Sequence, residues 1–238
     1  MYDPIETDLS LEMLNQIMEQ CKKRNIPICV IGGWASYFHV NANYRRAFGQ
    51  DYMGSRDIDI FFDSKSEKEF VAIVKQFGFE KDGLAFRYEK IFNRETKEYI
   101  SQEKAKSEPV FNLIYIFLDL FSNKETHILG SWWDLEPLKS ISFVQINNIS
   151  TADINTLINL KCVAIFARDK ADKENKDACD LYALLIYSEK EIKSTELLKQ
   201  AIKKILSRND LLYAISEHVL LDPGKQNIVE VTLKDKLK

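Results

Sequence analysis

The sequence predicts an α+β front half, residues 1–149, followed by an all-helical back half, residues 150–238. Two observations carry this. Short β-branched runs alternate with amphipathic segments as far as Ile149, and from Ser150 onward the apolar residues recur with helical spacing. A chain of 238 residues with 45% hydrophobic and 29% charged positions can bury one or two cores, which excludes a disordered or fibrous protein.

Leu9 to Arg24 places Leu9, Leu11, Met13, Leu14, Ile17, Met18 and Cys21 on one helical face, and the helix is expected to end near Asn25. Ile26 to Ile31 reads as a strand halted by Gly32-Gly33, with a helix from Trp34 to Val40 and a polar loop from Asn41 to Ser55. Asp57 to Asp63 alternates polar and apolar in the period of a strand. Ser64 is expected to cap a helix over Lys65 to Phe77. A hairpin around Asn93-Arg94 follows between Phe79 and Ile100, then a charged loop over Ser101 to Pro109 and a strong strand from Val110 to Phe121. Phe143 to Ile149 reads as one more strand, and Ser150-Thr-Ala-Asp153 resembles a capping box with Asp in place of Glu. The back half carries expected helices over Ala152 to Arg168, Asn175 to Tyr187, Ser194 to Ser207 and Asp210 to Leu220, with a tail after Pro223-Gly224.

Lys and Arg total 33 against 36 Asp and Glu, a net charge of −3, so no global basic field draws this chain to nucleic acid and any RNA contact must be local. Three acids precede the first apolar run, the wrong sign for a signal peptide, and no stretch approaches the roughly 18 apolar residues of a membrane helix. A soluble, cytoplasmic protein is expected. Cys21, Cys29, Cys162 and Cys179 lack C-x-x-C spacing and His39, His127 and His218 stand far apart, which leaves no zinc set and predicts reduced, buried thiols.

The chemistry concentrates at four places. Gly32-Gly33 ends a strand and opens a helix, where backbone amides can approach a phosphate closely; a tight turn explains the pair equally well. Asp57 and Asp59 lie two apart on a strand, so both carboxylates leave one face while Ile58, Ile60 and Phe62 face the core. Held that close they repel unless a cation intervenes, and Mg²⁺ prefers such oxygen ligands; the plain alternative is the solvated face of an edge strand. Asp119 interrupts an apolar strand and needs a partner, because an unpaired buried charge is costly. If the two strands are neighbours, three acids converge opposite the Gly-Gly turn, the arrangement of a two-metal phosphoryl or nucleotidyl transfer site. In the back half Asp177 and Asp180 share a helix face, with Lys161 and Arg168 on the preceding helix, where an interhelical ion pair is the structural alternative.

Ile31-Gly-Gly-Trp-Ala35, Gly54-Ser-Arg-Asp-Ile-Asp59 and the lone strand acid Asp119 together resemble the nucleotidyltransferase fold of the polymerase β-like superfamily. The resemblance implies a mixed β-sheet flanked by helices, followed by a C-terminal helical domain. It implies NTP as substrate and two Mg²⁺ or Mn²⁺ ions held by Asp57, Asp59 and Asp119, with Asp119 as a further ligand or general base. Gly32, Gly33, Ser55 and Arg56 would then bind the nucleotide. The Gly-Gly-Trp-Ala and Arg-Asp-Ile-Asp wording is similar to aminoglycoside and lincosamide nucleotidyltransferases. Leu160-Lys-Cys-Val-Ala164 and Asp177-Ala-Cys-Asp-Leu181 resemble motifs of the AbiE-type toxin nucleotidyltransferases, which implies that Lys161, Asp177 and Asp180 also face the nucleotide. That branch carries an arginine shortly before the paired acids, where this chain has Met53 with Arg56, Arg45 and Arg46 nearby.

Two ions, an NTP and an acceptor hydroxyl are therefore expected. The toxin-like branch is the leading reading because the back half matches its motifs, with an RNA end or a protein as acceptor and tRNA or other RNA and a cognate antitoxin as partners; a small-molecule acceptor of the antibiotic type is the alternative. A non-catalytic nucleotide- or partner-binding module on the same fold is the alternative from another class, and kinase-like transfer releasing NDP is a further one. Glu189 to Arg208 holds six basic residues against three acids and reads either as an RNA-facing or as a solvated helix face.

Overall fold

The computed structural model describes residues 3–84, 86–124, 141–168 and 170–238; the expectation placed on His127 lies outside the described residues. The described elements divide into two compact units. One holds the stretch before Ala35 together with Gly54–Thr151, and the other holds Ala35–Met53 with Ala152–Lys238.

The first unit is built on a mixed sheet of β1 (Ile28–Ile31), β2 (Ile58–Phe62), β3 (Glu80–Lys81), β4 (Arg87–Asn93), β5 (Tyr99–Ile100), β6 (Leu113–Ser122), β7 (Phe143–Ile146) and β8 (Ile149–Ala152). The order is β3-β4-β6-β2-β1-β8-β7, with β5 paired to β4. β2 runs antiparallel to β1 and parallel to β6, and β4 is antiparallel to β6. Because side chains alternate, β2 and β6 divide cleanly: Ile58, Ile60 and Phe62, with Ile114, Ile116, Leu118 and Leu120, are buried on one face. That face meets α1 (Pro4–Lys23), whose Leu14 and Ile17 are fully buried, and α3 (Glu67–Gln76) through Phe70, whose ring centroid is 5.1 Å from that of Phe62. The opposite face carries Asp59, Phe117 and Asp119.

Local chemistry sets the ends. α1 begins at Pro4, five residues before the expected start at Leu9, because Asp3 accepts from the Ile5 amide as N-cap and proline suits the first turn. Asp63, rather than Ser64, accepts from the Lys65 amide ahead of α3. Ile149–Ala152 is strand rather than capping box, and Asp153 caps the next helix by accepting from Asn155 and Thr156.

The second unit explains the largest difference from expectation. α2 (Gly32–Phe48) continues through the stretch expected as a loop from Asn41, and Gly49 ends it at φ 73°. Tyr44 on this helix is buried, donates its hydroxyl to the Val219 carbonyl at 2.9 Å and meets Tyr52 and Tyr187 edge-on. Asn43 donates to the Tyr187 carbonyl. These contacts place Ala35–Met53 with the C-terminal helices α5 (Ile154–Ala167), α6 (Ala171–Tyr187), α7 (Glu196–Leu206), α8 (Asn209–His218) and α9 (Gln226–Asp235), whereas a single boundary at 149/150 would leave it in the front half. The short helix α4 (Gln102–Ala105) and α9 lie where a loop and a tail are expected. No helix among the described residues is long and apolar enough to cross a membrane.

The four cysteines are buried thiols outside any disulfide, and burial pushes the Cys21 and Cys162 thiols up to about 12. His39 on α2 donates from Nε2 to the Ala152 carbonyl at 2.8 Å, and burial holds its pKa below 6.5. The unfolded chain takes up this proton first as pH falls. The stabilisation is therefore complete above pH 6.5 and is lost as pH drops from there toward the folded value. Melting temperature is expected to fall between about pH 7.5 and pH 5.5, with a shallower slope in His39→Gln; identical slopes would remove His39 as the cause.

Candidate active site

The turn from β1 into α2 is made by Gly32 at φ 67°, a conformation open to glycine and strained for other residues. Space gives a second reason for glycine. A Cβ added at Gly32 would lie 2.0 Å from Asp59 Oδ2, so the turn is seated directly against that carboxylate. Ile31 and Asp59 are register partners on β1 and β2, which brings the start of α2 and the acid together. Gly33 follows as the second residue of α2, so the glycine pair occupies the N-terminal, partially positive end of a 17-residue helix. Trp34 is buried and donates from Nε1 to Ser10 Oγ at 2.9 Å.

The loop into β2 is equally tight. A Cβ at Gly54 would meet Trp34 Cη2 at 3.0 Å and Thr7 Cβ at 3.1 Å. Ser55 is buried and donates its hydroxyl to the Asp57 carbonyl at 2.8 Å, which fixes the backbone that carries the first acid. Arg56 Nε stands 3.5 Å from Asp57 Oδ1, and its guanidinium lies 5.4 Å from the centre of the Phe117 ring. Ser55 and Arg56, expected at the nucleotide, thus make their observed contacts with Asp57 and Phe117.

Asp59 pairs in register with Asp119 across β2 and β6, and Asp119 with Arg87 across β6 and β4. The two acids and the arginine form one row across three strands. Arg87 donates from Nε to Asp119 Oδ1 and from Nη2 to Oδ2, both at 2.7 Å, in the two-pronged geometry that suits a carboxylate. The hydrogen bonds to Asp119 also raise the guanidinium's pKa. Asp59 and Asp119 therefore share a face, with Asp57 in the bend just before β2, yet among the described residues no group of three or more acidic, His or Cys side chains is gathered to hold a metal ion. The expected three-acid cluster is modified for a physical reason: the partner that buried Asp119 requires is the Arg87 guanidinium. Asp57 and Asp59 fit a divalent ion, since two carboxylates two residues apart at the start of β2 provide hard oxygen donors beside a turn that leaves Asp59 no room for a neighbouring Cβ.

Arg87 is the site residue that sequence reasoning missed. Its only signal is a cation among aromatics in Phe86-Arg87-Tyr88, and the pairing with a residue 32 positions away arises from strand register.

Lys161, Asp177 and Asp180 are placed in the helical unit. Lys161 Nζ is 2.8 Å from Asp177 Oδ1 and 2.7 Å from Asp180 Oδ2. Arg168 donates to Asp177 Oδ2, while Lys176 and the Tyr52 hydroxyl donate to Asp180 Oδ1. Burial opposes the charge on Lys161, but the two carboxylates overcome it and raise its pKa. Relative exposures of 6% for Lys161, 3% for Asp177 and 0% for Asp180 mark a buried, mutually neutralised network of interhelical ion pairs. In the basic run, Lys204 and Arg208 likewise pair with Glu174, and Arg208 with Asp210, which reduces the field an RNA would meet.

Residues 13–104 match the model of the aminoglycoside-2''-adenylyltransferase family, a span that contains Gly32, Gly33, Asp57 and Asp59. The chain has the nucleotidyltransferase fold. Asp119 and the Lys161 network lie beyond the matched span. Among solved structures, JHP933 from Helicobacter pylori is similar with a TM-score of 0.53 at 14% identity, over 100% of this chain and 94% of that one. An antigenic nucleotidyltransferase-like protein from Paracoccidioides brasiliensis has a TM-score of 0.49 at 15% identity, over 91% and 96% of the two chains. ANT(2'')-Ia in complex with adenylyl-2''-tobramycin has a TM-score of 0.42 at 12% identity, over 97% and 99%. No curated protein matches this nucleotidyltransferase-fold chain in sequence.

Proposed function

We propose that this chain moves a nucleoside monophosphate from an NTP to a hydroxyl group of a small polar molecule, with Mg²⁺ or Mn²⁺ at Asp57 and Asp59. The observation that carries the reading is the seating of Gly32 against the Asp59 carboxylate, which makes a phosphate-accessible helix start and an acid pair into one site. The acceptor oxygen attacks the α-phosphorus, the bond from that phosphorus to the bridging oxygen breaks, and pyrophosphate leaves. The acceptor's proton passes to a carboxylate of the site.

Each residue supports this chemistry by an ordinary interaction. The amides at Gly32 and Gly33 stabilise phosphate charge at the positive end of α2. Asp57 and Asp59 would hold the divalent ion, which when bound neutralises phosphate charge that the carboxylates would otherwise repel. Ser55 fixes the Asp57 main chain and Arg56 steadies its carboxylate. A small-molecule acceptor is favoured over an RNA end because the matched span is that of an aminoglycoside-2''-adenylyltransferase model, while part of the basic run is paired within its own unit.

The test incubates purified protein with each NTP labelled on the α-phosphate, Mg²⁺ or Mn²⁺, and in separate arms aminoglycosides, lincosamides or total cellular RNA. Label on a small acceptor, with pyrophosphate released and no signal in the Asp57→Ala/Asp59→Ala variant, is the expected result. Label on RNA or on protein would move the acceptor to the toxin-like branch. Metal-dependent NTP binding without transfer in any arm would leave a non-catalytic module, and release of NDP would make the chain a kinase-type enzyme.

A further inference from the structure

We infer that Arg87 withholds Asp119 from metal ligation, so that this site takes one divalent ion, on Asp57 and Asp59, rather than two. The inference rests on the nucleotidyl-transfer reading above and specifies how that site is charged.

Three observations converge. The first is the completeness of the pairing: both oxygens of Asp119 accept from one guanidinium, Oδ1 from Nε and Oδ2 from Nη2, each at 2.7 Å. A fork-on-fork pair is the strongest arrangement open to an arginine and a carboxylate, and a metal ion drawn to the same oxygens would sit close to a fixed positive charge. The second is that Arg87 is held in place. Its guanidinium lies 5.0 Å from the centre of the Phe117 ring and 5.8 Å from that of Phe86, and its side chain is 19% exposed against 10% for Asp119. A solvated arginine would swing away at small cost, whereas this one would leave two aromatic faces and strand a buried carboxylate.

The third is the local charge. Arg56 approaches Asp57 while its guanidinium shares the Phe117 ring with Arg87, so two fixed cations already stand among the three acids. Their residual negative charge suits one hard divalent ion; a second such ion would be added against two guanidiniums. Register supplies the spatial order, with Asp59 beside Asp119 and Asp119 beside Arg87, so the ion and the arginine flank the middle acid from opposite strands.

The test counts bound Mn²⁺ by the loss of the free-ion electron paramagnetic resonance signal. It uses the full chain with one equivalent of an NTP analogue whose α–β bridging oxygen is replaced by methylene. Wild type is expected to bind one ion per chain. Arg87→Gln frees the Asp119 carboxylate and is expected to bind two, and Arg87→Gln/Asp119→Asn to bind one again. The double variant removes both charges of the pair together, so it reports even where the single variant fails to fold. Two ions in wild type falling to one in the double variant would show that Asp119 is a ligand and overturn the inference; so would a folded Arg87→Gln that still binds one. Wild type binding neither ion nor analogue would instead sink the nucleotidyl-transfer reading itself.

Discussion

Asp59→Asn is expected to lower nucleotidyl transfer by about 10³-fold while leaving the thermal melt close to that of wild type. The reasoning is geometric and electrostatic. Asparagine nearly matches aspartate in shape, so the close seating of Gly32 against this side chain survives, and with it the turn from β1 into α2. The charge does not survive. A divalent ion at such a site supplies several kcal/mol of charge stabilisation to the transferring phosphate, and about 1.4 kcal/mol corresponds to each tenfold in rate. The check is the turnover of labelled NTP beside a circular-dichroism melt on the same preparation. Turnover within a few-fold of wild type would remove Asp59 from the chemistry, while a collapsed melt would mean that the carboxylate is needed for the fold.

Lys161→Met is expected to destabilise the helical unit by about 3–5 kcal/mol, the range for removing one partner of a buried ion pair. Methionine fills a similar volume, so the loss comes from charge rather than from a cavity. Asp177 keeps Arg168, and Asp180 keeps Lys176 and the Tyr52 hydroxyl, but the shared ammonium that lies within 2.8 Å of both carboxylates is gone. Urea unfolding followed by circular dichroism measures the effect. A second variant, Lys161→Met/Asp177→Asn, removes one of the stranded charges and is expected to recover part of the loss. If Lys161→Met instead melts with wild type and weakens NTP binding, the lysine serves the nucleotide and the buried network is incidental.

Parts of this architecture were legible in the residues because they depend on local order. The alternation of Asp57-Ile-Asp-Ile-Phe-Phe sorts its own side chains to two faces, whatever lies on either side of the strand. Gly32-Gly33 between a β-branched run and a helical pattern marks a strand-to-helix turn, and Asp119 in an apolar strand announces that it needs a partner. The helical back half was equally visible, since its apolar residues recur at a period that only a helix can bury.

Local order is also where sequence reading stopped. Asn41 to Phe48 looks polar enough for a loop, and becomes helix because Tyr44 and Asn43 reach Val219 and Tyr187, more than a hundred positions away. The same long-range contacts gather Ala35–Met53 with the C-terminal helices, a grouping that no composition change in the chain announces.

The sequence by itself determined the alternation of strands and helices in the front half, the strand face that carries Asp59, and the glycine turn. These follow from periods of two and 3.6 residues and from the φ freedom that glycine alone has. Tertiary structure alone decided the partners of the charges: Arg87 for Asp119, and Asp177 with Asp180 for Lys161. A buried charge requires a counter-charge but does not say which one. Strand register and helix packing make that choice, and they bring together residues that are far apart in the chain.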